Sequence, residues 1–108
     1  MIDEYIEASA VNNAFDKAMP FLNQYFAELK LNENNDFCNN IKNYAISLVA
    51  EFYSQKLTAI KPSTLAASAI YVSANKEDRL FYISSLAYKL GLRADTLKNT
   101  VEMLEEII

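Results

Sequence analysis

The sequence contains no histidine and no tryptophan, a single cysteine (Cys38), one glycine (Gly91) and two prolines (Pro20 and Pro62). Each scarcity excludes something. Without histidine or a second cysteine the chain has no ligand set for a structural zinc ion and no partner for an internal disulfide. Cys38 also lacks an imidazole base, so it reads as a small buried hydrophobe and not as a nucleophile. One glycine cannot build a glycine-rich phosphate loop. No apolar run approaches the ~18–20 residues that a membrane span needs. Met1–Tyr5 has neither a basic nor an apolar signal region, so no secretory signal is expected. Adjacent acids such as Glu77-Asp78 and Glu105-Glu106 point different ways on a helix and read as solvated charge, not as an acid–base pair. The expectation is a protein without cofactor or metal that is not an enzyme. With its lone cysteine it is expected to be intracellular, cytoplasmic in a prokaryote or virus and nuclear in a eukaryote.

What is present points to helices. With turn formers so scarce, helical segments must dominate, and 108 residues that are 52% apolar suffice for one core but not for two. Ala14, Ala18, Leu22, Tyr25, Phe26 and Leu29 recur at three- and four-residue steps, which predicts a first amphipathic helix. Pro20 is expected to kink it or to start a new one, because proline lacks the N–H and crowds the preceding turn. Residues 32–36, Asn-Glu-Asn-Asn-Asp, read as a loop. From Phe37, the stripe Ile41, Tyr44, Ala45, Leu48, Val49 and Phe52 predicts a long second helix, wide enough on its apolar side to be the central one.

Ser63 is a candidate N-cap for a third helix running from Thr64 to about Asn75, where Leu65, Ala66, Ala67, Ala69 and Ile70 permit close approach. A charged break over 76–79 follows. A fourth helix is expected from Phe81 to Leu90, with Ile83, Leu86, Ala87 and Leu90 inward. Gly91 lies just past its end, where a left-handed residue closes a helix. A fifth, from Ala94 to Ile108, would bury Leu97, Val101, Leu104 and Ile108. The aromatic residues follow the same helical spacing and belong to the core, not to a base-stacking surface.

The net charge is −4, distributed as −4 over residues 1–35, +1 over 36–75 and −1 over 76–108. Autonomous nucleic-acid binders usually carry a basic excess, because phosphate neutralisation supplies most of their affinity. No such excess is present.

Pro62-Ser63-Thr64-Leu65-Ala66-Ala67-Ser68-Ala69-Ile70-Tyr71-Val72-Ser73 resembles the third helix of cyclin-fold repeats, which have a Pro-Ser start, an alanine-rich body and an Ile/Leu-Tyr pair. Ile83-Ser84-Ser85-Leu86-Ala87 and Gly91 to Asn99 resemble the last two helices of the core repeats of archaeal transcription factor B and eukaryotic transcription factor IIB. Phe26 to Leu31 is similar to the end of the first helix of such a repeat. The resemblance implies an all-α fold, a single five-helix cyclin-like repeat over residues 14–108 that ends in a helix–turn–helix. Residues 1–13 would be an extension or a short helix.

In that family the last helix–turn–helix of the second repeat reads DNA beside the TATA-binding protein. Arg93, Asp95, Thr96, Lys98 and Asn99 fall where its recognition helix begins. Lys98 stands where the family commonly has arginine, and Asn99 occupies the neighbouring polar position. Lys89 joins them in a basic cluster. The candidate contact residues for nucleic acid or a partner are therefore Lys89, Arg93, Thr96, Lys98 and Asn99. The same basic residues also fit a solvated surface, with Lys98 and Glu102 one turn apart.

The sequence departs from that family in having no zinc-ribbon cysteines, one repeat where the family has two, Arg93 at the expected N-cap, and acids at Asp95, Glu102, Glu105 and Glu106. Two functions stay open. One is a transcription-related adaptor contacting promoter DNA, the TATA-binding protein or RNA polymerase. The other is a cyclin-type interaction module that docks a partner beside helices three and five. A lone repeat, lacking its usual neighbour, would also expose an apolar patch and form a homodimer; a piece of a longer two-repeat chain is the third reading.

Overall fold

A computed structural model of the chain describes residues 17–55, 60–77 and 81–107. Within these, five helical segments follow one another and no strand occurs: α1 (17–28), α2 (Asp36–Ser54), α3 (Pro62–Lys76), α4 (Ile83–Leu90) and α5 (Ala94–Ile107). The fold is all-α, as the scarcity of glycine and proline requires. The expected extension over residues 1–13, and the inward positions Ala14 and Ile108, lie outside the described residues.

Most of the expected stripes are the core: Ala18, Leu22, Tyr25 and Phe26 of α1 and Leu29 just after it are buried, as are Ile41, Ala45, Leu48, Val49 and Phe52 of α2, Leu86 and Ala87 of α4, and Leu97, Val101 and Leu104 of α5. Tyr44, Ile83 and Leu90 are only partly buried, and the aromatic rings of Tyr82 and Tyr88, expected inside, are exposed. Cys38 is a free, buried thiol. Residues 17–28 form one helical run, and Pro20, which is exposed, lies in its first described turn, one of the two places expected for it.

The central helix is α3, not α2. Every residue from Thr64 to Ile70 is buried, and α3 packs against both α2 and α5, whereas α2 buries a single face. Breadth of apolar surface on α2 suggested the reverse. What decides the matter is side-chain size: the alanines and serines of α3 let neighbouring helices approach its backbone from more than one side. The buried hydroxyls of Ser68 and Ser73 do not compromise this position, because both are satisfied within the helix. Ser68 Oγ donates to the Thr64 carbonyl at 2.8 Å and Ser73 Oγ to the Ala69 carbonyl at 2.7 Å. Thr100 Oγ1 of α5 does the same toward the Thr96 carbonyl, at 2.9 Å.

The helix ends explain the remaining boundaries. Asn35 caps α2, its Oδ1 accepting from the Cys38 N–H at 2.8 Å. Ser63 is not the cap of α3. The helix begins two residues earlier with Pro62 in its first turn, Lys61 is the N-cap, and no side chain accepts from the first turn. Proline dictates this start, since its fixed φ suits the first helical position and its missing N–H would be unpaired there anyway. Likewise α4 begins at Ile83, two residues later than expected, with Tyr82 as N-cap.

Helices α1 and α4 close in the same way. The Leu31 N–H donates to the Phe26 carbonyl (2.7 Å) and the Lys30 N–H to the Ala27 carbonyl (3.2 Å), around Lys30 at φ 58°. The Leu92 N–H donates to the Ala87 carbonyl (2.8 Å) and the Gly91 N–H to the Tyr88 carbonyl (3.3 Å), around Gly91 at φ 71°. The second closure was expected of glycine. The first places a lysine in the left-handed region.

Candidate functional site: the groove between the third and fifth helices

The turn at Gly91–Arg93 reverses the chain between α4 and α5, and the two helices pack together as a helix–turn–helix. The Leu97 N–H donates to the Arg93 carbonyl at 3.0 Å, so Arg93 is the N-cap of α5. From there Thr96, Asn99, Thr100 and Met103 step along one flank of α5 at helical spacing. They face the start of α3 across an open groove of about 710 Å³. The opposite wall holds Ile60, Lys61, Ser63 and Thr64, and Leu92 contributes from the turn.

The groove is chemically one-sided. Lys61 and Arg93 are exposed and both cationic, and no described residue lining the groove is acidic. Hydroxyls from Ser63 and Thr96 and the amide of Asn99 supply neutral hydrogen-bonding groups. Half-buried Ile60, Leu92 and Met103 supply apolar surface. Beneath Ser63, burial, aided by nearby Glu28, raises the phenol of Tyr25 on α1 above its usual 10.0, and the neighbouring Ser63 partly opposes the rise.

The sequence-predicted residues therefore separate into three places. Arg93, Thr96 and Asn99 share the groove. Lys89 stands on the exposed side of α4 beside Tyr88, whose side chain is 90% exposed. Lys98 stands on the outer face of α5, three residues after Asp95 and four before Glu102, all three exposed. Helical geometry puts Asp95, Glu102 and Glu106 on that face around it. Of the cations Lys89, Arg93 and Lys98, Arg93 alone lines the groove.

Lys61, Ile60 and Met103 were not singled out from the sequence. The signal for Lys61 was Pro62, which fixes residue 61 at a helix start and hence at the edge of whatever packs there. Nothing local marked Ile60 or Met103.

Another hollow, of about 330 Å³, lies between α2 and α3, bordered by Asn40, Asn43, Tyr44, Lys76 and Glu77. Lys76 Nζ sits 4.3 Å from the centre of the Tyr44 ring, a cation–π contact joining the two helices. Among the described residues no three of His, Cys, Asp or Glu come together to hold a metal ion, and no helix is long and apolar enough to cross a membrane.

The family model of the cyclin C-terminal domain matches residues 10–108. The chain belongs to the cyclin C-terminal domain family. Neither a curated protein nor a solved structure matches the chain. Membership accounts for the all-α architecture and makes this cyclin domain a regulatory, protein-interaction type of module. In the cyclin domain described here the groove between α3 and α5 combines breadth, an apolar floor and a single sign of charge.

Proposed function

We propose that this cyclin domain is a non-catalytic docking module, an adaptor whose partner protein seats in the groove between α3 and α5. The observation that carries the reading is the disposition of charge on α5. Its groove-facing flank begins at Arg93 and bears no acid, while its outer face surrounds Lys98 with Asp95, Glu102 and Glu106. A cluster of acids on the outer face of a helix opposes its entry into a DNA groove, because phosphates border the groove on both sides. A protein partner brings no such border of phosphates. On the resemblance of residues 62–73 and 83–99 to transcription factor B repeats, the partner belongs to the basal transcription machinery, the TATA-binding protein or RNA polymerase, and the domain acts in transcription regulation.

The test is fluorescence anisotropy of a labelled promoter duplex titrated with the protein at two salt concentrations, with and without TATA-binding protein. The expected result is no response from the duplex alone and a response once TATA-binding protein is bound to it. Binding to the bare duplex that weakens steeply with salt and disappears in Lys98→Glu would overturn the adaptor reading and restore direct DNA contact by α5.

A further inference from the structure

We propose that the occupant of the α3–α5 groove is an acidic linear peptide, whose carboxylates meet Lys61 and Arg93 while an apolar side chain rests on Ile60, Leu92 and Met103. This inference rests on the docking reading above and adds the chemistry of the partner.

Charge complementarity is the argument. The protein as a whole is at −4, yet the groove carries two cations and, among its described lining residues, no anion. Both cations stand at helix starts. Lys61 is the N-cap of α3, where no side chain accepts from the first turn and no acid lies in that turn. Arg93 is the N-cap of α5. Neither an ammonium nor a guanidinium can accept a hydrogen bond, so neither residue can cap its own helix in the way serine or aspartate does. At α3 the first-turn N–H groups are thus left for water or a ligand, and the positive ends of the two helix dipoles add to the two side-chain charges. Asp95, in the first turn of α5, is exposed and is not among the groove's lining residues.

The size and lining of the groove select a peptide over other anions. A phosphate or other small anion would use the basic rim and leave most of a space of about 710 Å³, with its apolar floor, unfilled. A nucleic-acid duplex would bring phosphates toward Asp95, Glu102 and Glu106 on the adjoining face of α5. An extended segment that alternates acidic and apolar side chains satisfies both the rim and the floor, and methionine in the floor adapts to more than one apolar shape.

Selection of a displayed random-peptide library on the intact protein tests this. Binders are expected to be enriched in Asp and Glu around a large apolar residue. The best of them should bind Arg93→Glu and Lys61→Glu roughly tenfold more weakly each, more weakly still at raised salt, and Lys98→Glu unchanged. All three substituted positions are exposed, and circular dichroism verifies that each variant is folded. Thr96→Trp, which fills the groove without changing charge, should abolish binding.

Binders that lack acidic enrichment but are lost in Thr96→Trp would overturn the acidic occupant and leave the groove as the docking site. Binders indifferent to Thr96→Trp would overturn the groove itself, and with it the proposed function. A library that yields no binder overturns the peptide proposal. A promoter duplex that displaces the peptide, and is itself lost in Arg93→Glu, would show that the two cations serve phosphate.

Discussion

Lys30 and Gly91 occupy equivalent positions at the ends of two helices, and opposite substitutions there should have opposite effects. Both residues lie in the left-handed region, at φ 58° and 71°, and both are flanked by the same pair of backbone hydrogen bonds. An L-residue pays about 1–2 kcal/mol for that conformation, through the clash of its Cβ with the backbone, whereas glycine pays none. Against this, glycine loses about 0.5–1 kcal/mol more chain entropy on folding than alanine does. The difference leaves Lys30→Gly stabilising by about 0.5–1 kcal/mol and Gly91→Ala destabilising by a similar amount.

Local packing does not blur the comparison. A Cβ built on Gly91 meets nothing within 4 Å, so the whole cost is conformational. Lys30 is exposed, so removing its side chain forfeits little contact. Lys30→Ala is the control, because it removes the stem but keeps the Cβ, and it should be close to neutral. Urea denaturation followed by circular dichroism reads these effects, each moving the midpoint by roughly half a molar unit. If Lys30→Gly lowered the midpoint while Lys30→Ala left it in place, backbone strain at residue 30 would be refuted as a term in stability.

Two further outcomes follow from burial. Ala67 is fully buried in the helix packed by neighbours on both sides, so Ala67→Leu should cost about 1–3 kcal/mol through overpacking. The same change at exposed Ala27 of α1 should be nearly silent in the same denaturation assay, and equal effects at the two sites would deny α3 its central place. Burial raises the phenol pKa values of Tyr25 and Tyr53 above 10.0. In the unfolded chain both ionise near 10.0, so the contribution of their protonated forms is complete below that pH and is lost as pH rises through the higher folded values. Stability should therefore fall as pH increases above about 10, and Tyr25→Phe and Tyr53→Phe should flatten the fall, read by denaturant midpoint against pH. An unchanged slope in both variants would remove these tyrosines as its cause.

The sequence by itself determined which segments are helical and which side of most of them turns inward. Three- and four-residue spacing placed Leu22, Ile41, Phe52, Leu86, Leu97 and Leu104 in the core, because a helix repeats every 3.6 residues and burial of one stripe follows from that period alone. It also located Gly91 at a left-handed closure, since the requirement is local to the backbone. The cyclin-like fold was legible for the same reason: the small-residue run of the third helix and the ordered signals after it lie on contiguous residues.

Only the tertiary structure decided which helix is central and which polar residues share a surface. Centrality depends on how many neighbours approach a helix, and no pattern within α2 reveals that the smaller α3 is the one enclosed. The same holds for the groove. Lys61 and Arg93 are thirty-two positions apart in the sequence and line one space because α3 packs against α5. Lys98, five residues from Arg93, faces elsewhere because the helix rotates about 100° with each residue. Composition supplied only an acidic sum of −4. Packing sorted those charges into a basic groove and an acidic outer face, and that sorting carries the functional reading.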